Sequence, residues 1–133
     1  MNIDFAAIND VIQLADEWAR AENLTPHTLS MNDLENYLKN PDVTAAKECH
    51  RALEKYMRKL NYEIILDIET LMLLGRDHEY SETDTYERRF NRIRKDIAEQ
   101  YSNPDNIEMA IDYITGKWPL AEYLKDGLKA IGH

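Results

Sequence analysis

The chain has 133 residues, with 25 acidic side chains against 16 basic ones and a formal net charge of −9. One domain spanning residues 1–133 is expected at this length, large enough to bury a core without staples. The lone cysteine excludes an internal disulfide and a cysteine-rich zinc site, while four glycines and four prolines leave little material for an all-β fold.

Apolar spacing is helical nearly everywhere. Phe5, Ile8, Ile12, Ala15 and Trp18 mark a first helix ending near Asn23, and Leu24 to Ser30 reads as a connection. A short second helix turns Leu34, Tyr37 and Leu38 inward and stops at Asn40-Pro41. Pro41 then suits the first position of a third helix, where its missing N–H is harmless. Ala46, Cys49, Leu53, Tyr56, Met57 and Leu60 give that helix its buried stripe. Asn61 caps a fourth helix, Tyr62 to Leu74, closed by Gly75. Ser81-Glu82-Thr83-Asp84 resembles a capping box opening a fifth helix, with Tyr86, Phe90, Ile93, Ile97 and Tyr101 inward. Asn103-Pro104 starts a sixth, carrying Ile107, Ala110, Ile111 and Ile114 and ended by Gly116. Trp118-Pro119 starts a seventh, with Leu120, Tyr123, Leu124, Leu128 and Ile131 inward and Gly132 at its end. The expected fold is all-α, a compact bundle of six or seven helices.

The N-terminus lacks the basic start and apolar stretch of a secretory signal. No apolar run reaches the roughly 20 residues of a membrane span. A cytoplasmic protein without a membrane role is expected, and a free thiol is at home there. The acidic balance disfavours a general role on nucleic acid, since phosphate binding needs cationic surface.

Leu74-Gly75-Arg76 and the stretch from Tyr113 to Leu128 carry a resemblance. That stretch reads Tyr113-Ile114-Thr115-Gly116-Lys117-Trp118-Pro119-Leu120-Ala121-Glu122-Tyr123-Leu124-Lys125-Asp126-Gly127-Leu128. It resembles a bacterial domain family of unassigned function with a Leu-Gly-Arg-Gly helix end and a Tyr-Leu-x-Gly-x-Pro-Leu-x-x-Tyr-Leu-x-x-Gly-Leu tail. Here one extra residue lies between Gly116 and Pro119, and Asp77 replaces the second glycine. The resemblance runs from Asn61 onward. It implies a small all-helical bacterial protein and supplies no catalytic residue.

The chemistry on offer is thin. Cys49-His50 invites a dyad, but helix neighbours point about 100° apart, and Cys49 falls on the apolar stripe. Asp77-His78-Glu79-Tyr80 could offer a metal a carboxylate and an imidazole, yet a site needs three or four converging ligands. Ser30, Ser81 and Ser102 all stand at expected helix starts, where capping explains them. The scattered glycines exclude a phosphate loop. No catalytic residue, metal or cofactor is therefore expected.

Two surface features remain. Arg88, Arg89, Arg92 and Lys95 fall on the side of the fifth helix opposite Phe90 and Ile97, with Asp84–Arg88, Arg92–Asp96 and Lys95–Glu99 spaced to pair. Lys47, Arg51, Lys55 and Arg58 make a second strip on the third helix. The fourth helix has leucines to spare: Ile64, Ile68, Leu71 and Met72 form the core stripe, while Leu66, Thr70 and Leu73 lie on roughly the other side. Either that helix is central and wrapped all round, or the Leu66–Leu73 strip meets another chain. Trp118 covers a helix junction or anchors a partner.

The leading expectation is a non-catalytic module that binds another protein or a second copy of itself through Leu66, Thr70, Leu73 and Trp118. Its sharper form is an acidic antagonist of a basic protein. The alternatives are a regulatory nucleic-acid binder using Arg88, Arg89, Arg92 and Lys95, and an enzyme with a composite site around Asp77, His78 and Glu79.

Overall fold

A computed structural model describes residues 3–24, 39–77, 85–117 and 119–133. The expected second helix, the capping box at 81–84, His78 to Tyr80 and Trp118 lie outside the described residues. Within them the fold is all-α and without strands. Six α-helices follow one another: α1 (Phe5–Asn23), α2 (Pro41–Lys59), α3 (Tyr62–Arg76), α4 (Tyr86–Gln100), α5 (Ile107–Thr115) and α6 (Leu120–Ala130), with a 3₁₀ turn at Pro104–Asn106 ahead of α5.

Short polar side chains start most of these elements by accepting from N–H groups that have no carbonyl partner in the first turn. Asp4 accepts from Ala7 at 3.0 Å, Asn40 from Asp42 at 2.8 Å and Asn61 from Ile64 at 2.9 Å. Pro41 occupies the first turn of α2, as its fixed φ favours. Asn103 does the same for the 3₁₀ turn, accepting from Asp105 at 3.0 Å. Helix α4 departs from expectation. It begins at Tyr86, where Thr85 caps it and accepts from Arg88 at 3.2 Å. Tyr86 at its first turn is exposed rather than inward, because the buried stripe begins at Arg89 and Phe90. At the chain's end Gly132 takes a left-handed φ of +83°, as a helix-terminating glycine does.

Helix α3 is the axis of the bundle. It packs on α4, α5 and α6, while α1 bridges α2 and α6 and α2 also meets α5. Surrounded this way, α3 buries Ile65, Leu66, Ile68, Glu69, Thr70, Leu71, Met72 and Leu74. Of the two readings of its surplus leucines, the central one holds. Leu66 and Thr70 are both 0% exposed, covered by this chain's own helices, and Leu73 packs partly buried against the same core. The Thr70 hydroxyl donates to the Leu66 carbonyl at 2.7 Å and so needs no outside partner. Leu66 and Thr70 are therefore core residues, and Leu73 sits at the edge of the same core.

Gly75 does not end α3, which runs on through Arg76. Its role is proximity. A Cβ on Gly75 would lie 1.8 Å from the Tyr123 carbonyl oxygen, and one on Gly127 would lie 2.2 Å from that of Leu71. The two glycines let α3 and α6 touch backbone to backbone.

Candidate functional site

The fold disperses several of the expected site residues. Cys49 and His50 do not act on one another. The His50 Nε2 lies 2.8 Å from the Thr115 carbonyl oxygen at the end of α5, and Nδ1 lies 2.6 Å from Glu54 Oε1. The ring also rests against Trp18 of α1, so it joins three helices. The Cys49 thiol is pushed above its ordinary range, first by burial and then by the nearby Glu17 and Glu48 charges. All three causes disfavour the reactive thiolate. A thiol reagent at neutral pH should label Cys49 in the folded protein more slowly than free cysteine, with unfolding restoring the rate; equal rates would contradict this account. Among the described residues no three His, Cys, Asp or Glu side chains gather as a metal would require. His78 and Glu79 lie outside the described residues.

The basic face of α4 is smaller than its sequence implies. Arg88, Arg92 and Lys95 are exposed, but Arg89 is 7% exposed and donates to the Asp77 carbonyl at 3.2 Å. Arg89 leaves the surface because it sits one position before Phe90, at the edge where α4 meets the end of α3. Asp84, the expected partner of Arg88, lies outside the described residues, and Lys95 makes no ion pair with Glu99 among them. Arg94, by contrast, reaches across to α3, 2.8 Å from Asp67 and also against Glu63. The second cationic strip is on α2, a helix that packs on α1 and α5, whereas α4 packs on α3. Within that strip Arg58 is already paired with Glu54 at 3.1 Å and Glu108 at 3.0 Å.

What the fold leaves on the outside is the outer face of α5. Ala110, Ile111, Ile114 and Thr115 point into the bundle, so positions 109 and 113, one turn apart, point away from it. Met109 is 65% exposed and Tyr113 38%. The other exposed large apolar side chains among the described residues, Leu24 and Tyr86, stand near segments outside them. The Tyr113 ring is held in place: Arg76 of α3 donates to its hydroxyl at 3.2 Å, and the Lys117 ammonium lies 4.7 Å from the ring centroid. Arg76 in turn is braced by Asp77 at 3.1 Å. Along one side of the same face runs an exposed acidic row, Asp105, Glu108 and Asp112.

A family model described as a protein of unknown function, DUF3775, matches residues 50–133, more than half of the chain. The chain belongs to that family. No curated protein and no solved structure matches it. The DUF3775 region begins inside α2, further toward the N-terminus than the Asn61 at which the sequence resemblance starts, and takes in α3 to α6. It contains both short motifs that carried that resemblance, and the fold brings them together twice. In the interior, Gly75 meets the backbone of Tyr123 and Gly127. At the surface, Arg76 meets Tyr113.

The glycine contact is fully explained by packing. The Arg76–Tyr113 contact is not, since it fixes an aromatic ring at the surface without burying it. Sequence reasoning passed over Met109 and Tyr113, although the signal was there: both fall opposite the inward stripe of their helix. Among the described residues no helix is long and apolar enough to cross a membrane.

Proposed function

We propose that this chain is a non-catalytic cytoplasmic interaction module whose outer α5 face receives a basic amphipathic segment of another protein. The observation that carries this reading is the Met109–Tyr113 pair, exposed at one-turn spacing with the tyrosine ring held between Arg76 and Lys117. Tyrosine and methionine are enriched where proteins bind each other. A ring fixed in advance also loses less freedom on binding than a mobile one. The sign of the partner follows from charge. Asp105 and Asp112 line the stripe together with Glu108, which Arg58 of this chain already pairs, and the whole chain carries −9. Complementary cations on the partner would speed encounter and set the register. The half-buried free thiol of Cys49 suits a reducing compartment.

The test is capture of a partner by the wild-type protein and by a Met109→Ala/Tyr113→Ala double variant. Both side chains are exposed, so the variant should keep the wild-type helical spectrum. A true partner should present a basic contact segment and bind the double variant at least about tenfold more weakly. It should also be released as salt is raised from about 50 mM to about 500 mM. A partner bound equally by both proteins would overturn the reading, and so would binding indifferent to salt.

A further inference from the structure

Beneath that face lies a feature that the proposed function does not use. Glu69 is 2% exposed, in the middle of α3, the helix on which α4, α5 and α6 pack. One of its oxygens, Oε1, accepts from the Tyr101 hydroxyl at 3.2 Å; the other, Oε2, is fully buried and has no hydrogen-bond partner among the described residues. Among the described residues no cation pairs with it, and its hydrogen-bonding neighbour is Tyr101 at the end of α4. The charged pairs of the α3–α4 seam, Arg94 with Glu63 and Asp67, are formed with each other. A carboxylate in such a place would be a buried charge with one of its two oxygens unsatisfied, a costly arrangement.

Tyr101 is more than a neighbour. It caps the C-terminus of α4 and opens the turn that leads into α5, and the Tyr62 hydroxyl of α3 donates to its carbonyl. Tyr101 is thus tied to α3 at both its side chain and its backbone. Helix α4 needs that tie. Among the described residues α3 is the helix it packs on, and its own buried side chains are Arg89, Phe90 and Ile97.

We propose that Glu69 is a proton-sensitive latch: as the neutral acid it is accommodated beneath Tyr101 and the α4–α5 junction stays closed on α3, whereas on ionisation its buried charge, only partly offset by the Tyr101 hydroxyl, drives that junction open. The direction agrees with the environment of the carboxyl. Burial raises it above its ordinary range, with the Tyr101 hydroxyl opposing, and burial followed by Glu69 pushes the Tyr101 phenol up to about 12. Tyr101 therefore stays a donor across the working range, and Glu69 is the group that titrates. Its contribution is complete at acid pH and is lost as the pH rises through the folded-state value. The latch does not depend on the interaction reading, although its release would move α5 and the Met109–Tyr113 face with it.

Amide hydrogen exchange of the full chain tests this, corrected for intrinsic rates, at about pH 5 and about pH 8. Amides at the C-terminal end of α4, from Ile97 to Tyr101, should open at least about fivefold more readily at the higher pH. Those of α1 and α2 should change by less than about twofold. Glu69→Gln keeps the shape and the acceptor for Tyr101 but cannot ionise, so it should flatten the pH dependence whatever it does to overall stability. Any residual slope then belongs to Asp67, whose carboxyl burial also raises above its ordinary range. Tyr101→Phe removes the hydroxyl and should raise opening of the same amides, more at high pH than at low. The same slope in wild type and Glu69→Gln would overturn the latch, as would a change spread evenly over all helices.

Discussion

Gly127→Ala should destabilise the protein by about 3 kcal/mol or more, although alanine is the better helix former by about 1 kcal/mol. The position is inside α6, where propensity alone makes the substitution favourable. The added Cβ, however, would lie 2.2 Å from the Leu71 carbonyl oxygen and 2.9 Å from its carbon. Neither atom belongs to a flexible side chain that can swing away. Helix α6 has to retreat from α3, and Leu120, Leu124 and Leu128 retreat with it from the core. Gly75→Ala probes the same contact from the other side, with its Cβ 1.8 Å from the Tyr123 carbonyl oxygen. Urea titration followed by helical circular dichroism measures both. A rise in the midpoint for either variant would show that the two backbones do not touch.

Leu66→Ala should cost about 2–5 kcal/mol and lower the melting temperature by about 10 °C. The side chain is 0% exposed on the central helix, so its removal leaves a cavity that rigid neighbours cannot fully close. Were Leu66 part of a surface strip for another chain, the same substitution would change stability by no more than about 0.5 kcal/mol. Leu24→Ala, at a residue 68% exposed, is the matched control and should stay within that limit. A thermal melt of the two variants side by side separates core from interface, and equal melting temperatures would return Leu66 to the surface.

How far the sequence could be read differs from element to element. The start of α2 at Asn40-Pro41 and that of α3 at Asn61 are local events, made by side chains that satisfy N–H groups two or three residues away. Such signals survive in one dimension. The start of α4 was harder: Thr85 and Ser81-Glu82-Thr83-Asp84 both offer capping oxygens, and Thr85 is the one that caps the helix. Arg89 illustrates a second limit. A wheel of α4 alone places it outward, but the Asp77 carbonyl at the end of α3 gives it an acceptor and draws it in.

The candidate site divides the same way. That Met109 and Tyr113 share an outward face follows from the helical period and the inward isoleucines of α5. That Arg76 and Lys117 hold the tyrosine ring could not be read from spacing, since Arg76 stands on another helix far away in the chain. The core polar groups were equally hidden. Glu69 reads as an ordinary acidic residue until the packing of α3 buries it and brings Tyr101 against it.

Periodicity, capping residues and the scarcity of turn formers were enough to establish an all-α chain and most of its helix ends, because each depends on interactions within one or two turns. Which faces stay wet depended on how many neighbours each helix acquires when the chain returns on itself. With α4, α5 and α6 all laid against it, the middle of α3 has little outer side, so Leu66 became core, Leu73 became partly buried and Glu69 became a buried acid. Helix α5 acquired its neighbours along one side, and for that reason Met109 and Tyr113 remain in contact with water.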